Sequence, residues 1–209
     1  MSRSAADLVS DGKHTHRNVH GGAARAAVFG ASDGLVSNVS LILGVAAADP
    51  AQGVVRLAGI AGLIAGAVSM AAGEYVSMKA QQELLERELD IERREIASNP
   101  HIEIAELSRV YESRGLDADV ALEMATHIMR DPELALEVHA REELGINPNE
   151  LGNPIQAAAA SFAAFAAGAI LPLLPWFFSG GTAALIASVI LGLFGAIAVG
   201  VALAKATGR

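Results

Sequence analysis

Apolar and polar positions divide this chain into blocks. Four blocks are apolar for about the 20 residues that a helix needs to cross a bilayer core: roughly Ala26–Ala48, Leu57–Met78, Ile155–Phe178 and Thr182–Ala204. Asp49-Pro50 closes the first, and Ser179-Gly180-Gly181 separates the third from the fourth. Pro172, Pro175 and Trp176 fall near the far end of the third, where an aromatic side chain is expected to mark the membrane interface.

The polar block between spans two and three reads as helices with clear stops. No proline occurs between Ala51 and Asn99, so span two is expected to run on as one long helix to about Ser98. Asn99-Pro100 breaks it, and Pro100 suits a first helical position. A second helix is expected to end near Arg114, at Gly115. A third is expected from an Asp117 cap to about Met129, and a fourth from Asp131-Pro132 to Gly145. Asn153-Pro154 then opens span three. No alternating strand pattern and no internal repeat interrupts this series.

Charge sharpens the division. Of the 23 acidic residues, 18 lie between Gln81 and Glu150, whereas Pro154–Ala204 carries no charged residue. The net charge of −8 therefore belongs mostly to one segment, which attracts cations and repels nucleic acid. Arg3, Lys13, Arg17 and Arg25 precede span one, and Lys205 and Arg209 follow span four. The short loops carry one basic residue, Arg56. The positive-inside bias then places both termini and the acidic segment in the cytoplasm. The expected architecture is an all-α polytopic membrane protein. Residues 1–25 form a cytoplasmic tail and 26–80 form spans one and two. Residues 81–152 form an inserted cytoplasmic helical domain, and 153–209 form spans three and four. The polar N-terminus has no apolar core and does not resemble a cleaved leader. With no cysteine, disulfides, thiolate metal sites and cysteine nucleophiles are excluded.

Some residues break their surroundings. Asp33 lies within span one, where an ionised carboxylate at the bilayer centre costs about 2.5–3.5 kcal/mol. A span starting after it would be too short to cross untilted. Its helical face includes Ser37, Ser40 and Gly44, as suits a wet path or a close helix contact. In span two Met70, Glu74 and Met78 share a face, with Gly59, Gly62, Gly66, Ser69 and Gly73 as small packing positions. A thioether beside a carboxylate suits a transition metal such as Fe²⁺ better than Mg²⁺ or Ca²⁺. The same pattern also fits methionine packing with Glu74 at the membrane edge.

Glu92 and Glu95, then Glu103 and Glu106, form i, i+3 pairs on either side of the Asn99-Pro100 turn. Glu83–Arg87 and Asp90–Arg94 have the order of stabilising helical ion pairs. The four glutamates have no basic residue four positions on, and only Glu106 has one at three, Arg109. A solvated helix face and a cation-binding face both fit these spacings. His139 sits one turn before Glu143, which is weak evidence for a ligand pair. His14, His16 and His20 read more simply as part of a tail than as a metal site.

These stretches together resemble the vacuolar iron transporter family, which includes the nodulin-21-like proteins. The resemblance runs from about Val19 to Arg209. It rests on SDGLVSNVSLILGV in span one, AGAVSMAAGEYVSMKAQ in span two, and the ERRE and EIAE pairs ahead of ELGI. It implies a homodimer in a lipid bilayer that moves Fe²⁺, and in some relatives Mn²⁺, out of the cytosol in exchange for protons. It also implies that Asp33 and Met70 line a path between protomers, and that Glu92, Glu95, Glu103, Glu106 and Glu143 bind metal. Zn²⁺ and other divalent ions are further candidates at that cytoplasmic site, and no permanently bound cofactor is implied.

Three departures accompany the resemblance. His139-Ala140 stands where family members carry a methionine pair, so His139 is a candidate replacement for a thioether ligand. A family glutamate early in span two falls on Gly62, for which Glu74 is a candidate substitute. The family's five spans compare with four here, so the chain is expected to lack the last one. The Ala/Gly-rich, lysine-poor composition points to a bacterial plasma membrane. A vacuolar or other endomembrane site is expected if the source is eukaryotic.

The leading expectation is thus a proton-coupled Fe²⁺/Mn²⁺ exporter. The alternative is a membrane-tethered metal-binding or sensing protein without transport. An enzyme is not expected. A di-iron ferroxidase needs Glu-x-x-His motifs, and the chain has none. It also has no Gly-Lys-Ser/Thr phosphate loop for ATP-driven pumping.

Overall fold

The computed structural model describes residues 22–148 and 152–206. The basic tail positions Arg3, Lys13 and Arg17, the histidines at 14, 16 and 20, and Arg209 lie outside the described residues. Among the described residues eight helices follow one another: α1 (Gly22–Ala46), α2 (Gln52–Ser98), α3 (Pro100–Ser113), α4 (Ala118–Ile128), α5 (Pro132–Glu142), α6 (Pro154–Leu173), α7 (Pro175–Phe178) and α8 (Gly181–Ala206). No strand occurs among the described residues. Among the described residues four helices are long and apolar enough to cross a membrane: α1, α2, α6 and α8.

Helix α2 runs for 47 residues without a break. At 1.5 Å per residue it is about 70 Å long, more than twice the roughly 30 Å of a bilayer core. Its Gln52–Met78 part packs among apolar helices, and its Lys79–Ser98 part carries the acidic helices. Pro100 starts α3, Pro132 starts α5 and Pro154 starts α6. Asp131 accepts from the amides of Glu133 and Leu134, and Asn153 from those of Ile155 and Gln156. Both asparagine and aspartate caps thus act as their sequence positions predict. Asp117 occupies the cap position of α4 but makes no such bond. Gly115 (φ +97°) and Gly145 (φ +64°) stop α3 and the chain after α5 in the left-handed region, where glycine carries no steric penalty.

The apolar bundle is tightest where α1 crosses α6. A Cβ on Gly34 would collide with the Phe165 carbonyl, and one on Gly168 with the Ala31 carbonyl. Glycine at both positions lets the two backbones touch. Ala67, Phe165 and Ala169 fill the space against α2, with Leu63 and Met70 beside them.

Span three ends earlier than its apolar run. Pro175 has no amide hydrogen to continue the ladder, so α6 stops at Leu173 and the short α7 follows. Trp176 is turned inward. It is 2% exposed, packs with Ile42, Val55, Leu173 and Ala184, and donates to Ser188 Oγ at 3.0 Å. Ser188 in turn donates toward the carbonyls of Pro172, at 2.6 Å, and Ala184, at 2.9 Å.

The acidic helices have two small cores of their own. Leu89 and Ile96 of α2 meet Ala135, Leu136 and Ala140 of α5. Leu107 and Tyr111 of α3 meet Ala121 and Ala125 of α4. Arg114, at the end of α3, pairs with Glu142 of α5 and so ties the two together.

Candidate functional site

The packing of α5 on α2 decides which carboxylates meet. Leu136 and Ala140 face Leu89 and Ile96, so His139 on the same helix face is directed at Glu92. The turn at Asn99-Pro100 folds α3 back and brings Glu103 to the same point. His139 Nδ1 lies 3.2 Å from Glu92 Oε1, 3.6 Å from Glu103 Oε2 and 3.2 Å from Glu143 Oε1. His139 is fully buried, and Glu92 and Glu103 are nearly so. One donor atom each from Glu92, Glu103 and His139 falls within 4.8 Å of the others. Glu106 is half-buried and Glu95 is exposed.

The electrostatics of this cluster are costly. Burial, then the charges of Glu143, Glu103, Glu95 and Glu106, pushes the Glu92 carboxyl up to about 7. Burial and neighbouring carboxylates also raise Glu103 and Glu143. Burial pushes the His139 imidazole below its ordinary value despite Glu103 and Glu106 beside it. Burial thus shifts the imidazole and the carboxyls alike toward their uncharged forms. Close approach has not produced hydrogen bonds: Glu92 Oε1 and both His139 nitrogens are buried without a partner. Unsatisfied buried polar atoms are rare in native proteins. A nitrogen and three carboxylates converging in this way form a donor set that suits Fe²⁺, Mn²⁺ or Zn²⁺.

Other charges of these helices pair locally. Asp90 meets Arg93 at 2.8 Å rather than Arg94, which donates to the Asp90 backbone carbonyl instead. Glu83 meets Lys79 rather than Arg87. Glu142 is taken by Arg114, which leaves Glu143 for the cluster.

A second polar region lies among the apolar helices. An open cleft of about 370 Å³ is walled by Asp33, Ser37, Asn38 and Leu41 of α1, by Gly62, Gly66, Ser69 and Met70 of α2, and by Phe165 of α6. Ser37 Oγ donates to Asp33 Oδ1 at 2.6 Å. Ser40 and Gly44, on the same expected face, do not line the cleft. Ser40 donates to its own helix at Val36, and a Cβ on Gly44 would meet no neighbour within 4 Å. Met70 also lines a neighbouring cavity of about 330 Å³ with Glu74, Ala26, Phe29 and Ser161. Glu74 Oε1 is buried there without a partner. Met78 leaves this face and touches Gly152.

The sequence reading overlooked Asn38. It is five residues beyond Asp33, about 140° around the helix, and thus off the i, i+4, i+7 face used to find polar neighbours. Its asparagine within an apolar span was the available signal.

The sequence model of the VIT family matches residues 24–209. A protein named vacuolar iron transporter from Acanthamoeba castellanii is 43% identical over 150 residues, covering 72% of this chain and 54% of its own length. Vacuolar iron transporter 1 of Arabidopsis thaliana is 30% identical over 197 residues, covering 93% of this chain and 79% of its own. Vacuolar iron transporter homolog 1 of rice, Oryza sativa subsp. japonica, is 37% identical over 177 residues, covering 82% and 56%. The chain thus spans about half the length of two of these relatives.

Proposed function

The chain belongs to the VIT family, and from that premise we propose that it moves Fe²⁺, with Mn²⁺ as a second cargo, out of the cytosol in exchange for protons. One observation carries the proposal: the cluster of Glu92, Glu103, His139 and Glu143 and the cleft of Asp33 and Met70 share the single helix α2. The acidic helices and both termini face the cytosol. Metal is gathered where the carboxylates converge and passes to Met70 and Asp33. Glu95 and Glu106 stand at the rim of the cluster and attract the ion before it binds.

The donors support proton-linked metal binding. Glu92 is partly protonated near neutral pH, and a carboxylic acid must lose its proton to bind metal. Capture at the acidic cluster therefore releases protons to the cytosol and hand-over takes them back there, so net exchange requires a carboxylate on the membrane path. Glu74, which lines the cavity beside Met70 and whose Oε1 is buried without a partner, is the candidate for handling a proton or the ion on that path.

The exposed polar edge of α1 supports a homodimer. Asp33, Ser37 and Ser40 are exposed on one protomer, although a carboxylate facing lipid is costly. A second copy against this edge would cover it and close the cleft into a path.

The test is metal flux into proteoliposomes holding the full chain, with internal pH followed alongside. Fe²⁺ uptake with opposed proton movement is expected, and Asp33→Ala should reduce it at least about 100-fold. Uptake by Asp33→Ala as fast as wild type would show that the cleft is not the path. An intact chain that binds metal but moves none would favour the alternative, a tethered metal-binding or sensing protein. That alternative draws support from the cluster being assembled entirely within residues 92–143.

A further inference from the structure

Asn38 is 2% exposed and stands at the inner wall of the cleft. Its Nδ2 donates to the Ala169 carbonyl of α6 at 2.6 Å. That bond fixes the amide: turned over, two carbonyl oxygens would oppose each other at the same distance. Oδ1 is thus directed at α2, where a Cβ on Gly62 would stand 3.0 Å from it. It is buried and has no hydrogen-bond partner. A lone buried acceptor of this kind requires a reason, and its neighbours supply one. Asp33, Ser69 and Met70 open onto the same cleft.

We propose that Asn38 Oδ1 is a ligand for a divalent cation in this cleft, beside Asp33 and Met70. The assignment rests on the cleft being the path proposed above. Asp33 supplies charge, Met70 a soft sulfur, and Asn38 a neutral oxygen already aimed by its bond to α6. A neutral ligand adds a coordination position without another charge, which lets an ion bind and still leave. Glycine at position 62 leaves no Cβ against the oxygen on the α2 side.

Asn38 also joins α1 to α6, so the test must separate coordination from packing. Mn²⁺ binding is measured by the loss of the free-ion EPR signal, with the full chain in lipid nanodiscs. Glu92→Gln, Glu103→Gln and His139→Leu are introduced first to silence the acidic cluster. The silenced parent should retain a Mn²⁺ site. Asn38→Ala should weaken it about tenfold. Gly62→Ala should do the same while preserving the Nδ2 bond, because its Cβ covers Oδ1 and otherwise meets only the movable tip of Leu41. Unchanged melting of Gly62→Ala beside weakened binding identifies a ligand effect.

The assignment fails if the silenced parent binds no Mn²⁺, or if Gly62→Ala and every folded Asn38 variant bind within about twofold of it. If Asn38→Ala does not fold, Gly62→Ala alone decides. A chain that shows this site but no flux overturns the transport reading and leaves Asn38 as a ligand.

Discussion

Two donor sets are assembled along one helix, each with donors from its neighbours, and they are built differently. Near Glu92 three carboxylates and an imidazole are pressed together at 3.2–3.6 Å, and burial raises all three acids. Near Met70 the cleft has Asp33 as its only charged wall residue, softened by a hydrogen bond from Ser37. The first set crowds carboxyls whose ionised forms a cation would stabilise. The second offers mainly neutral donors. A strong site suits capture from dilute solution, whereas a weak one suits passage, because an ion held too firmly does not leave.

The comparison breaks most sharply if the acidic set is disabled. Glu92→Gln with Glu103→Gln should weaken metal binding to the acidic helices about 100-fold, read by calorimetry. Maximal flux at saturating metal should stay within about threefold of wild type. A collapse of maximal flux would mean that the two sets act as one site.

The next effect comes from pH. Glu92 titrates near 7, so lowering pH from about 7.5 to about 6 should reduce affinity about eightfold through this group alone, measured by metal titration at each pH. Without metal, the sign for stability is the reverse. A carboxyl raised from 4.5 to about 7 favours the folded state most below 4.5, and that contribution is lost as pH rises toward 7. His139, held below its ordinary 6.5, opposes this trend as pH falls below that value. Melting of the metal-free chain across this window reads the balance.

The smallest effect sharpens the second set. Ser37→Ala removes one exposed hydrogen bond to Asp33 and should change flux by about threefold. A loss as large as that of Asp33→Ala would make Ser37 part of the ion's path rather than a support.

Much of the fold is legible because proline punctuates it. The proline-free run from Ala51 to Asn99 predicts α2, and Pro100, Pro132 and Pro154 predict the next starts. The end of span three is not legible from hydropathy, since Leu174–Phe178 stays apolar after Pro175 has broken the ladder. Composition does not reveal Ser188 as the partner of Trp176. The acidic pairs were visible as spacings, but spacing treats Glu92 and Glu95 alike. Only the packing of α5 on Leu89 and Ile96 buries Glu92 and His139 while leaving Glu95 exposed. The VIT-family resemblance expressed in SDGLVSNVSLILGV extends across the match to residues 24–209.

The unbroken course of α2 has a mechanical consequence. Met70 and Glu92 are 22 residues apart on a rod without a joint, or about 33 Å. Tilting that rod by about 5° around Met70 sweeps Glu92 through about 3 Å, more than the roughly 2 Å length of a metal–carboxylate bond. A cation that ties Glu92 to α3 and α5 thereby fixes the rod's angle, and with it the wall that Met70 presents to Asp33.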